Sequence, residues 1–151
     1  METIECSIEI QRPVEVVFAY VIDPRTAPRW QAGVKEIRVI PEGPIAVGSK
    51  LKIVGAFLGV KLEGTNEVTA IEPNRSFSYT GRAGPATVEA TYRFAATASG
   101  TRLSGSALIE PGGLFQVAGP LFASQAKKHV EADFRRLKAL LETQPHQGNV
   151  A

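Results

Sequence analysis

A change of period along the chain constrains its fold more than any other feature. Ile4, Cys6, Ile8 and Ile10 alternate with Glu5, Ser7 and Glu9, the period-2 pattern of a strand with one buried face. Much later, Phe122, Ala126, Val130, Phe134, Leu137 and Leu141 recur at spacings of three and four, which lays an apolar stripe along one long helix. Almost everything between reads as strand or turn, so the stripe has a sheet to pack against.

The exception is a short insert after the first strand. Pro13 suits the first position of a helix whose apolar face is Val14, Val17, Phe18 and Val21. Asp23-Pro24 breaks it, Pro28 allows one more turn, and Trp30 follows. Strands are then predicted over 34–40, 50–55, 60–71, 75–81, 87–95 and 101–110, separated by Gly-, Pro- and Asn-containing turns. Connections this short favour an antiparallel meander, because parallel strands would need crossovers. The class is therefore α+β. A length of 151 residues supports one sizeable core. The expected organisation is a single domain over 1–143 and a flexible polar tail over 144–151.

A symmetric turn at Ala98-Ser99-Gly100 sets Phe94 opposite Leu103, Tyr92 opposite Gly105, Ala90 opposite Ala107 and Val88 opposite Ile109. Large residues then frame small ones on the concave face, and Ala126 is small in the facing helix. Interiors are densely packed, so small facing small means either a close helix approach or a hollow. A curved sheet with one helix is hard to fill, which favours a mostly apolar pocket of about 300–1,000 Å³.

The opening strand, Arg12-Pro13-Val14-Glu15-Val16-Val17-Phe18, Pro28-Arg29-Trp30-Gln31, Val47-Gly48-Ser49, Val68-Thr69-Ala70-Ile71-Glu72-Pro73, Tyr92-Arg93-Phe94, Gly100-Thr101-Arg102-Leu103 and the run from Arg136 to Glu142 together resemble the polyketide cyclase/dehydrase group of the START-like (SRPBCC) superfamily. The resemblance implies a helix-grip fold: a curved seven-stranded antiparallel sheet wrapped around the C-terminal helix, two short helices after the first strand, and a cavity between sheet and helix. Members bind lipids, hormones and pigments or cyclise polyketides, so the fold does not choose the function.

The chemistry must be sought residue by residue. His129 and Asp133 are four apart on the helix, so they form either an acid/base pair in which the carboxylate orients the imidazole, or a structural boundary pair. Tyr79 and Tyr92 point inward, as holders of a ligand oxygen or as core tyrosines bonded to backbone. Trp30 forms part of the cavity mouth or covers an end of the sheet. Arg82, read as a loop residue, is a ligand-anion partner or a solvated arginine. Residues 111–126, PGGLFQVAGPLFASQA, carry no charge. Leu114, Phe115 and Phe122 in that run suit a gate, a dimer contact, an early helical turn or, less well for want of a basic polar face, transient contact with a membrane surface, with Gly119 and Pro120 read as breaks in any stiff helix. The ligand-binding set is therefore Trp30, Tyr79, Ala90, Tyr92, Gly105, Ala107, Leu114, Phe115, Phe122, Ala126 and Val130.

Other chemistries lack their residues. No spacing of His, Cys and carboxylates supplies a metal site, and the glycines form neither a phosphate loop nor a dinucleotide fingerprint; no cofactor is expected. A net charge of +2 without a basic tract does not suggest nucleic acid. Lys127, Lys128, Arg135 and Lys138 read as a solvated helix face. Cys6, the single cysteine, is a small core residue. With no secretory pattern at the N-terminus and no apolar run long enough to span a bilayer, a cytoplasmic protein without stable membrane insertion is expected. The sequence thus predicts a binder of a small hydrophobic or amphipathic molecule, with a cyclase or dehydratase using His129, Asp133 or a cavity tyrosine as the alternative. A homodimer through the uncharged segment is a further expectation.

Overall fold

The structure is a computed structural model that describes residues 2–57, 59–83, 86–110 and 119–143. The elements run β1 (Glu2–Ile10), α1 (Val14–Ile22), α2 (Ala27–Trp30), β2 (Val34–Ile40), β3 (Lys50–Phe57), β4 (Val60–Glu72), β5 (Ser76–Ala83), β6 (Ala86–Thr97), β7 (Gly100–Glu110) and α3 (Gly119–Thr143). The strands form one antiparallel sheet in the order β1-β7-β6-β5-β4-β3-β2. This is the helix-grip arrangement. Strands β1 and β2 are consecutive in the chain but occupy opposite edges, so α1 and α2 carry the chain from one edge to the other.

The β6–β7 register follows the expected pairing: Phe94 faces Leu103, Tyr92 faces Gly105, Ala90 faces Ala107 and Val88 faces Ile109. Two irregularities help the sheet curve. Register shifts occur between Val34 and Glu36 in β2 and between Val68 and Ala70 in β4, and such bulges bend and twist their strands.

Pro13 stands one position earlier than expected, as the N-cap of α1, with extended backbone that α1 then leaves. At the other end the Thr26 hydroxyl donates to the carbonyls of Tyr20 (2.6 Å) and Asp23 (2.8 Å). Those two bonds hold the α1–α2 corner, and α2 ends after four residues.

Helix α3 joins two apolar groups. Phe134, Leu137 and Leu141 pack with Ile10, Phe18, Phe77, Phe94 and Leu103, and burying side chains of this size stabilises by about 1.5–3 kcal/mol each. Nearer the start of α3, Phe122 and Ala126 pack with Ile4, flanked by Leu62, Ile109 and Val130. Gly119 and Pro120 begin α3 and do not interrupt it, a position where proline's missing N–H costs nothing. The end of the helix is fastened to β1 and its exit: Lys138 Nζ donates to the Glu9 carbonyl (2.7 Å), Arg12 Nη1 to the Leu141 carbonyl (2.6 Å) and the Gln11 N–H to Glu142 Oε2 (2.7 Å). Lys138 is therefore a half-buried tether, whereas Lys127, Lys128 and Arg135 are exposed. No described helix is long and apolar enough to cross a membrane.

Candidate functional site

Between the two apolar groups the helix and sheet separate, leaving a cavity of about 270 Å³. Its location follows from where side chains are small. Gly33 and Gly55 near the β2–β3 edge, Gly64 on β4, Ala86 and Ala107 on β6 and β7, and Ala126 on α3 all line it. Larger apolar walls come from Ile4, Ile53, Leu62, Val88, Ile109 and Phe122. The close pairing at Gly33 and Gly55 is enforced by backbone: a Cβ on Gly55 would lie 1.7 Å from the Gly33 carbonyl oxygen. A Cβ on Gly33 would lie 2.9 Å from the Ala56 carbonyl oxygen and 3.1 Å from His129 Nε2.

Polar groups reach the cavity from both the helix and the sheet. Asp133 is buried, and its Oδ1 accepts the Ala32 N–H (3.1 Å) and Arg136 Nη1 (3.1 Å). Arg136 Nη1 also donates to the Trp30 carbonyl (2.8 Å). Burial pushes the Asp133 carboxyl above the ordinary carboxylate range, although the Ala32 N–H, His129 and Arg136 all act to hold it down. The pair thus has its carboxylate committed to the backbone before β2, which is close to the structural alternative.

Tyr79 and Tyr92 stand side by side, ring centroids 6.4 Å apart. Burial raises the pKa of both phenols. At Tyr79 a hydrogen bond from Tyr92 partly opposes the rise; at Tyr92 the Tyr79 hydroxyl and then the Asp133 charge add to it, well above the ordinary value. Both are therefore neutral hydroxyls at physiological pH. Trp30, 1% exposed, packs on Tyr92 and Phe134 with centroids 6.4 Å away in each case.

Of the residues singled out in the sequence, Trp30, Tyr79, Tyr92, Ala107, Phe122, Ala126, His129, Val130 and Asp133 line this one cavity. Trp30 is a deep wall residue, not part of a mouth. Ala90 and Gly105 do not line it. Ala90 is buried opposite Tyr79. Gly105 answers a close helix approach, since a Cβ there would meet Phe134 Cζ at 3.0 Å. Arg82 is an exposed strand residue of β5, not a loop residue, and reaches the cavity rim. Leu114 and Phe115 lie outside the described residues, as does the gate reading for 111–118. In the remainder of that segment Phe122 is buried and Leu121 is 60% exposed.

Sequence reasoning missed Gly33, Gly55, Gly64 and Asn66. The last three were recoverable: the β3–β4 pairing sets Gly55 opposite Leu62 and Ile53 opposite Gly64, and alternation then turns Asn66 inward. Among the described residues no group of three or more His, Cys, Asp or Glu is placed to hold a metal ion.

Residues 1–142 match the model of a family described as polyketide cyclase / dehydrase and lipid transport. Solved structures share the fold at low identity. A START superfamily protein from Mycobacterium smegmatis superposes with a TM-score of 0.82 at 16% identity, over 94% of this chain and 98% of that one. A protein from Thermus thermophilus gives 0.79 at 18% identity, over 94% and 99%. A conserved protein from Geobacillus kaustophilus gives 0.71 at 24% identity, over 93% and 95%. No curated protein matches the chain.

Proposed function

The chain belongs to the polyketide cyclase/dehydrase and lipid-transport family, and from that premise we propose that it binds a small hydrophobic or amphipathic molecule between the sheet and α3. The observation that carries this reading is the cavity of about 270 Å³, apolar over most of its wall with a few polar side chains from both sheet and helix. Its volume lies just below the range usual for drug-sized ligands, about 300–1,000 Å³, which suits a compact ring system or short chain better than a long acyl chain. Apolar burial would supply most of the affinity, at roughly 25 cal/mol per Å² before ordering costs.

The test is a thermal-shift panel of isoprenoid alcohols, short fatty acids and fused-ring aromatics, run on the wild type and on Ala107→Phe. A ligand at 100 times its Kd stabilises the folded state by about 2.7 kcal/mol. We expect at least one class to raise the wild-type Tm and Ala107→Phe, whose ring projects into the hollow, to abolish the shift. A panel with no shift, or a shift that Ala107→Phe leaves intact, overturns the reading.

A second reading is proton transfer by His129 on a polyketide-like substrate, favoured by its place on the cavity wall beside the Asp133 charge. General acid–base groups contribute about 10²- to 10⁴-fold to rate. Turnover that disappears in His129→Gln while ligand-induced stabilisation persists would establish it; turnover equal in both would remove it.

A further inference from the structure

Strand β4 turns Leu62, Gly64, Asn66 and Val68 toward the inner face, so one amide sits in an otherwise apolar row. Asn66 is 8% exposed and lines the cavity. Its amide has no hydrogen-bond partner among the described residues. The amide therefore presents unused donors and an acceptor to the cavity, and the strand gains nothing from asparagine, which is depleted in sheets.

The neighbouring residues make room for this amide and place other polar groups beside it. Gly81 is opposite Asn66 in register, and a Cβ there would lie 2.1 Å from Asn66 Oδ1 and 2.3 Å from the Thr65 carbonyl oxygen, so both the amide and the β4 backbone depend on that glycine. Behind the main cavity lies a second of about 40 Å³, and Gln31, Asn66, Tyr79 and Tyr92 line both. Val34 and Ile53 line both as well, so the boundary is mixed; its four polar side chains can each exchange hydrogen bonds while uncharged.

Building on the ligand-binding reading, we propose that Asn66, with the Tyr79 and Tyr92 hydroxyls, reads an oxygen on the ligand, and that the ligand is an uncharged apolar molecule bearing a hydroxyl or carbonyl group. The negative field of Asp133 already disfavours ionisation of Tyr92 and opposes an anion at the same place in the same way. Arg82 lines the cavity but is exposed, so a carboxylate paired with it would leave its charge at the rim.

The test uses 2-naphthol, 2-methylnaphthalene and 2-naphthoate, titrated calorimetrically into the wild type, Asn66→Leu and Tyr79→Phe, with thermal melts to verify folding. Because 2-methylnaphthalene is the greasier probe, the quantity to follow is the ratio of its Kd to that of 2-naphthol. We expect Asn66→Leu to lower that ratio by about 3- to 10-fold, the size of one or more lost hydrogen bonds, with the 2-methylnaphthalene affinity held or improved. Tyr79→Phe, which removes only a hydroxyl, should lower it in the same direction and carries the test if Asn66→Leu fails to fold. In the wild type, 2-naphthoate should bind at least about 10-fold more weakly than 2-naphthol. A ratio unchanged in both variants, or 2-naphthoate binding as tightly as 2-naphthol, overturns this proposal alone. If neither neutral probe binds the wild type, the ligand-binding reading falls, and this proposal falls with it.

Discussion

The carboxylate of Asp133 on α3 accepts the backbone N–H of Ala32 at 3.1 Å, a link across 101 residues. It ties the middle of the long helix to the chain as it enters β2, and Arg136 draws the Trp30 carbonyl into the same junction at 2.8 Å. One wall of the cavity is thereby fixed in position. The charge that makes this link is also held where burial disfavours it.

That conflict gives stability a pH dependence. Because the folded pKa of Asp133 is raised above the unfolded value of about 3.9, its contribution is fully present below that value and is lost as pH rises through the folded pKa. Asp133→Asn keeps an oxygen for Ala32 and Arg136 but cannot ionise. Urea unfolding across pH 3–8, a window of about the usual experimental range, should show the variant gaining on the wild type as pH rises above the unfolded value and levelling off once the folded carboxyl has ionised. A difference that is flat with pH would refute the assignment.

Gly105 and Phe134 should be energetically coupled. Gly105→Ala places a Cβ 3.0 Å from the far end of the Phe134 ring, and overpacking of this kind costs about 1–3 kcal/mol. Phe134→Leu withdraws that end of the ring, so a double-mutant cycle should return a favourable coupling of about 1 kcal/mol. Strict additivity would mean the ring moves aside at no cost.

Gly55→Ala should be more severe, because its Cβ would fall 1.7 Å from a backbone oxygen, that of Gly33, and backbone cannot swing away as a ring can. A loss of about 3 kcal/mol or more is expected, read as a lowered denaturation midpoint. A loss below that of Gly105→Ala would show that the β2–β3 crossing is freer than it looks.

Glu142 tests the fastening at the helix end. Desolvation acts to raise its pKa, but hydrogen bonds from Lys138 and from the Gln11 N–H outweigh it and hold the carboxyl below its usual value. Its stabilisation is therefore present above the unfolded value of about 4.3 and is lost as pH falls through the lower folded pKa. Glu142→Ala should cost about 0.5–1.5 kcal/mol at neutral pH, a modest figure for a solvent-accessible pair. That cost should shrink below about pH 4; a pH-independent loss would assign the effect to packing.

The sequence made the architecture legible because local patterns agreed with it. The alternation from Ile4 to Ile10 and the stripe from Phe122 to Leu141 each describe one buried face, and the β6–β7 pairing followed from a single turn. The site was less legible, because it depends on how closely the helix approaches each strand. Gly105 and Gly55 are both inward glycines, yet one receives the Phe134 ring and the other the Gly33 backbone; the sequence does not record which neighbour comes close. Asn66 is neither aromatic nor titratable, and its one sequence signal is a polar side chain in an inward register.

The first strand pairs with the last, Cys6 lying opposite Gly105, and the helix that roofs the cavity follows that last strand. During synthesis, then, the concave surface cannot be closed until β7 and α3 have emerged. Such distant pairings belong to slow folders, on timescales of about milliseconds to seconds. Until then Leu103, Phe94 and Phe77 lack the helix that covers them, and no guest molecule has a finished chamber to enter.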